Sequence, residues 1–160
     1  MKRWFSVLFL FLLPVLAVGF LFHRPVSAGP VKVFVSVPPQ KFFVERIGGN
    51  RVQVLVLIPP GADPHTYEPK PAGMAELARA AAWFTVGVPF EENLLPRISS
   101  ANPTLAVVRT EEGIERTATG RGGADPHIWL SPRLVKKQAD NILAGLIQAD
   151  PSGERVYRAN

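Results

Sequence analysis

The tripeptide Asp-Pro-His occurs twice, as Asp63-Pro64-His65 and Asp125-Pro126-His127, and supplies two of the three histidines in the chain. Neutral imidazole is the commonest metal ligand, binding through one ring nitrogen while the other is held by an acceptor. Asp63 and Asp125 stand where they could be such acceptors or could shape the turn. Each intervening Pro fixes φ, which lowers the entropy lost in holding a ligand still. The same residues have a plainer reading, because Asp-Pro is an ordinary turn and helix-start pair. The repeat therefore points either to a shared metal site or to two similar turns.

The chain contains no Cys, which excludes disulfides, thiolate metal sites, a cysteine nucleophile and lipid attachment through an N-terminal Cys. A metal site must then use imidazole and carboxylate, which suits zinc, manganese or iron better than copper(I). Near the first motif, Tyr67 and Glu68 could support His65, or could be a partly buried ring and a solvated carboxylate. Near the second, Trp129 could shield His127 from water or simply pack in the core. Glu111, Glu112 and Glu115 could attract cations, although a charged loop is usually only solvated.

The elements that must position the two motifs alternate along the chain. Val31 to Val37 and Val52 to Ile58 read as strands, the second so continuously apolar that both its faces should be covered. Pro38-Pro39 ends the first, and Gln40 to Ile47 reads as a short helix stopped by Gly48-Gly49-Asn50. Pro59-Pro60-Gly61 breaks the second, so the first Asp-Pro-His lies in the loop leaving a strand's C-terminal end, where open α/β sheets place ligands. Met74, Leu77, Ala78 and Ala81 have helical spacing. Trp83 to Val88 gives a third strand, Glu91 to Ser100 a helix interrupted by Pro96, and Leu105 to Val108 a fourth strand. A polar, Gly-rich stretch from Glu111 to Ala124 should form a flexible loop that delivers the second Asp-Pro-His. Ser131-Pro132 then supplies an N-cap and a first-turn Pro for a helix with Val135, Ala139, Ile142, Leu143 and Leu146 inward. Its wet side is expected to carry Lys136, Lys137, Asp140 and Asn141. Asp150-Pro151 opens a further helix running towards Asn160. Strand and helix in alternation predict an α/β fold: a four-stranded, mainly parallel sheet with flanking helices.

With 160 residues and 47% hydrophobic content, the chain can bury one ordinary core. Its formal charge is +5, and Lys2, Arg3 and Arg24 all precede residue 29 where no acidic residue stands, which leaves +2 for the rest. No clustered basic run suggests a nucleic-acid partner. Lys2 and Arg3 precede an apolar run from Trp4 to Phe22, and Val26-Ser27-Ala28 offers small residues to a signal peptidase. Residues 1–28 thus read as a secretory signal peptide cleaved before Gly29. An uncleaved membrane anchor is the alternative, since the run approaches the ~20 residues a spanning helix needs. His23 lies in this segment as a polar flank. Either reading places the functional domain outside the cytoplasm.

The segment Pro-Pro-Gly-Ala-Asp-Pro-His-Thr-Tyr-Glu-Pro (59–69), followed by Asp-Pro-His-Ile-Trp-Leu-Ser-Pro (125–132), resembles the zinc/manganese class of ABC-transporter solute-binding proteins. The resemblance runs from about Val31 to the end of the chain and includes the turn Gly87-Val88-Pro89-Phe90-Glu91. It implies a periplasmic or extracytoplasmic protein of two (β/α)4-like lobes joined by one long helix. A divalent metal, zinc or manganese, is held between the lobes and handed to an ABC permease in the inner membrane. By position, His65 would be the first metal ligand and His127 the second, with the third and fourth coming from a C-terminal lobe. The chain resembles the N-terminal lobe alone, so a truncated or partial form is expected: residues 29–150 as the metal-binding lobe and 151–160 as the start of the interlobe helix. Zinc-specific relatives often carry a His-rich loop before the second ligand; the stretch from Glu111 to Ala124 has no His. The leading expectation is therefore a non-enzymatic component of high-affinity metal uptake. Competing classes are a metal-dependent hydrolase, which lacks a His-Glu-x-x-His pattern or an assigned general base, and an envelope adhesion or structural protein.

Overall fold

The computed structural model describes residues 29–63, 66–118 and 124–160. The expected signal peptide, His65 and part of the Gly-rich stretch lie outside the described residues. Four strands, β1 (Val31–Val35), β2 (Val52–Val56), β3 (Ala82–Thr85) and β4 (Ala106–Arg109), form one sheet in the order β2-β1-β3-β4. All three pairings are parallel, with Val33 opposite both Val54 and Ala82, and Phe84 opposite Val108. After β2 the chain returns across β1 to start β3, so the strand order reverses between β1 and β3. In open α/β sheets the crevice outside the strand C-termini at that reversal is the usual ligand site.

Both faces of the sheet are covered, as the continuous Val and Leu content of the strands requires. On one face Phe34 and Trp83 pack with Leu77 of α2 (Pro71–Leu77) and with Phe90, Leu94 and Ile98 of α3 (Pro89–Ala101). Ile128 joins the same cluster. On the other face Val33, Val35, Phe84 and Val108 meet Val44 of α1 (Pro38–Gly48), Ile142 and Leu146 of α4 (Pro132–Ala149), and Tyr157 of α5 (Glu154–Ala159). Full burial of such side chains contributes about 1.5–3 kcal/mol each before entropy is subtracted. Gly145 lets α4 approach closely, because a β-carbon there would lie 2.6 Å from both γ-carbons of Val108 and 2.9 Å from Phe84.

The α/β reading holds, while several element ends differ from the expectation for identifiable reasons. Pro38 and Pro39 open α1 instead of merely ending β1, because the first helical turn has no use for their missing N–H groups. The Gln40 Oε1 then accepts the Ser36 and Val37 amides at 3.0 and 3.2 Å, so β1 ends at Val35. α3 runs unbroken through Pro96, which lies on its exposed face beside solvent-facing Glu92, the residue whose carbonyl loses its donor. Ala81 is not on α2; its amide donates to the Lys32 carbonyl at 2.9 Å and leads into β3. Leu57 and Ile58 still donate to Val35 and Ser36, so pairing continues past the end of β2.

On α4, the expected wet-side Asn141 is half-buried and donates to the Thr110 and Glu112 carbonyls at 3.0 and 2.9 Å. Ser131 precedes α4 without a side-chain cap bond, leaving Pro132 as the start signal. Beyond α4, Asp150 opens a 3-10 turn, Pro151–Gly153, before α5. Its carboxylate accepts from Arg51 Nη2 at 2.7 Å, Tyr157 Oη at 2.7 Å and Ser152 Oγ at 2.5 Å, tying the end of α4 to the entry of β2. These partners hold Asp150 below the usual carboxylate range although burial, the largest influence, pushes the other way.

Candidate metal centre

His127 is built from short-range constraints. Asp125 Oδ1 accepts the His127 backbone N–H at 2.9 Å, closing a turn over Pro126, and lies 2.6 Å from the ring Nδ1. A carboxylate that close assigns the ring proton to Nδ1, which leaves Nε2 as the lone-pair nitrogen available to a metal. The imidazole is half exposed, at 51%. Asp125 is held below the ordinary range of an Asp, first by the His127 amide and then by its ring.

The chain on both sides is anchored. Asp125 N donates to the Thr117 carbonyl at 2.8 Å, and Ala118 bridges Ala124 in antiparallel fashion, so the stretch before His127 is pinched at its neck. After His127, a 3-10 turn (Ile128–Leu130) buries Ile128 in the core. Trp129 takes the plainer of its two readings by packing against the core cluster of the same face, and its ring also meets that of the half-exposed His127 edge-on at 5.2 Å.

The first motif follows β2. Its Pro64 and His65 lie outside the described residues; around them Ala62 donates to the Pro59 carbonyl and Thr66 to the Asp63 carbonyl, both at 3.2 Å. Tyr67 is half-buried against Phe90, the rings edge-to-face at 6.2 Å. Glu68 is exposed, in line with the solvated reading. Tyr67, Ile128 and Trp129 belong to one hydrophobic cluster, so the segments just after both Asp-Pro-His motifs are packed against the same body of core. Among the described residues no group of three or more His, Asp or Glu converges on one point.

The main misreading concerns Glu111. Far from being solvated, it is 7% exposed, and its buried Oε2 has no hydrogen-bond partner among the described residues. Burial pushes its carboxyl above the usual range. A second buried carboxyl, Glu91, went unassigned as a polar group. It sits at the third position of α3 and accepts the amides of Val86, Gly87 and Val88. Burial pushes it up to about 7 against the pull of Ser36 and those amides. Pro at the first helical position with Glu two residues later was the available signal. Gln40, Thr110 and Gln138 were missed as well: Thr110 Oγ1 accepts both glutamine side-chain amides at 3.1 Å and donates to the Thr85 carbonyl. This network stitches the C-terminal ends of β1, β3 and β4 to α4.

Comparison with known proteins decides the family. The family model for ZnuA, the zinc-uptake complex component A (periplasmic), matches residues 33–160. The chain belongs to the ZnuA family. Among ZnuA-like relatives, a putative metal-binding protein of Chlamydia trachomatis serovar D is 32% identical over 134 residues, covering 81% of this chain and 47% of that protein. The manganese-binding lipoprotein MntA of Halalkalibacterium halodurans is 32% identical over 118 residues, covering 73% and 39% respectively. A crystal structure of ZnuA superposes with a TM-score of 0.76 at 43% identity, covering 81% of this chain and 51% of the other. The chain thus spans about half the length of the proteins it matches, as one lobe of a ZnuA-like protein would.

Proposed function

We propose that this chain supplies half of a transported metal's binding site in an exported solute-binding component of an ABC transporter, with zinc or manganese as cargo. His65 and His127 are the two ligands from this lobe. The observation that carries the reading is the Asp125 contact with His127 Nδ1 at 2.6 Å, which orients the imidazole and leaves Nε2 for the cation. The family is that of a zinc-uptake component and the relative MntA is a manganese-binding lipoprotein, which supplies the two metals. Two imidazoles leave at least two coordination positions, and a closed four-coordinate site draws the others from a second lobe. In this reading residues 1–28 are the export signal, 29–150 the metal-binding lobe and 151–160 the opening of the helix leading to the other lobe. The partner is a membrane permease that receives the metal, and no catalytic step is involved.

The test is a calorimetric titration of the purified protein with zinc and with manganese, beside His65→Ala and His127→Ala. Each substitution is expected to weaken binding strongly. Equal binding by all three proteins would overturn the assignment of a shared site.

A further inference from the structure

The loop leaving β3 is gripped from two sides by carboxyl groups that metal binding does not use. From α3, Glu91 is 2% exposed and accepts Val86 N at 3.0 Å, Gly87 N at 2.7 Å and Val88 N at 3.1 Å. From the far side, Glu111 follows Thr110, the residue after β4. Its Cγ lies so near Gly87 that a β-carbon there would come within 3.2 Å. Gly87 itself has φ 81°, so a side chain is doubly excluded. The two carboxyls share this glycine, and one buried oxygen of Glu111 meets no hydrogen-bond donor among the described residues.

The surrounding charges oppose the burial of Glu111 without overcoming it: Arg109 of β4, 3.9 Å from Glu111 Oε1, and Arg116 both favour its ionised form, while Glu92 of α3 disfavours it and engages Arg109 at 3.1 Å. Arg116 also reaches the Gly87 carbonyl with a long 3.4 Å contact. Just after β1, Ser36 hydrogen-bonds Glu91 and favours its charge, while its hydroxyl oxygen accepts the Trp83 indole N–H at 3.0 Å. A buried anion with an unpartnered oxygen is costly, and two around one glycine repel each other.

We infer that Glu91 and Glu111 hold one proton between them while the segment 111–118 is packed against Gly87, and that loss of this proton to water releases the segment. That segment leads to His127: Thr117 and Ala118 form the neck beneath Asp125 and Ala124. A proton on the pair would therefore govern how firmly the His127 loop is based. This functional consequence rests on the assignment of His127 as a ligand, whereas the proton exchange does not.

The sign follows from linkage. Burial raises both carboxyls, Glu91 from 4.5 to about 7, while a released segment returns them to the ordinary range. Opening then expels a proton between those limits, so its equilibrium constant rises by about tenfold per pH unit and levels off above. The experiment is carboxyl 13C NMR of Glu-labelled protein across that range, with hydrogen exchange of the Glu112 and Ile114 amides corrected for intrinsic rates. Those amides bond to the Arg109 and Glu111 carbonyls when the segment is packed. The expected result is a titration near neutrality felt by both Glu91 and Glu111, with protection falling by about tenfold per pH unit below it. In Glu111→Gln the Glu91 midpoint should drop and the protection slope flatten; Glu91→Gln should remove the titration. Titration of both groups in the ordinary carboxylate range, or a slope unchanged in Glu111→Gln, overturns the inference. Since Glu91→Gln removes a charge from a buried turn, the Glu111→Gln comparison alone decides if that protein does not fold. The expected near-neutral titration and protection slope in a protein that binds no zinc would support the proton exchange and overturn only the metal reading.

Discussion

Replacing Asp125 separates the orientation of His127 from its presence. The carboxylate makes two contacts to one residue, 2.9 Å to the backbone amide and 2.6 Å to Nδ1. Asp125→Ala removes both. Asp125→Asn keeps an oxygen acceptor for the turn but loses the charge that favours a proton on Nδ1. Neither touches the buried Ile128 or the 5.2 Å contact of Trp129 with the imidazole, so the loop keeps its anchor and the loss falls on ring orientation and tautomer. Removing the partner that orients a ligating imidazole typically costs about 10–100-fold in metal affinity. Because His127 and Asp125 are about half exposed (51% and 47%) and water can replace part of the contact, about tenfold is expected for Asp125→Ala and less for Asp125→Asn. The assay is competition for zinc against a chromogenic chelator at fixed pH, with circular dichroism and thermal melting to show the fold intact. Wild-type affinity in Asp125→Ala would refute the reasoning that the carboxylate prepares Nε2 for the metal.

Two further substitutions test the scaffold. Gly145→Ala places a methyl 2.6 Å from Val108 across the α4–sheet contact, and overpacking of this kind should destabilise by about 1–3 kcal/mol in denaturant unfolding. Thr110→Val leaves the Gln138 side-chain amide without its acceptor while Gln40 keeps the Thr85 carbonyl, so about 1–3 kcal/mol should again be lost, with no change of fold by circular dichroism.

What the sequence made legible was the part written in local pattern. The Val-rich runs and the alternation with helical spacing gave a four-stranded parallel sheet, and Ile142 and Leu146 took their expected inward places on α4. What stayed hidden depends on partners far along the chain. Gln40 looks like an ordinary polar residue after two prolines until Thr85, 45 positions on, and Thr110, 70 positions on, close around it. Glu111 sits in a stretch rich in charge and glycine, and its burial beside the distant Gly87 is visible only in the fold. Pro96 reads as a break because local rules cannot tell which face of α3 is wet. Around His127, the Asp-Pro-His repeat already paired the imidazole with the Asp125 carboxylate that meets its Nδ1. The common cluster behind Tyr67, Ile128 and Trp129 emerges only from the folded core.

The central claim is that the two motifs serve one cation, and the direct measurement is 15N NMR of the histidine rings during a zinc titration. The account predicts that a ring nitrogen of His65 and Nε2 of His127 shift together to saturation at one stoichiometry, while His127 Nδ1 keeps its proton. Independent titration of the two rings, or a shift confined to one of them, would contradict it.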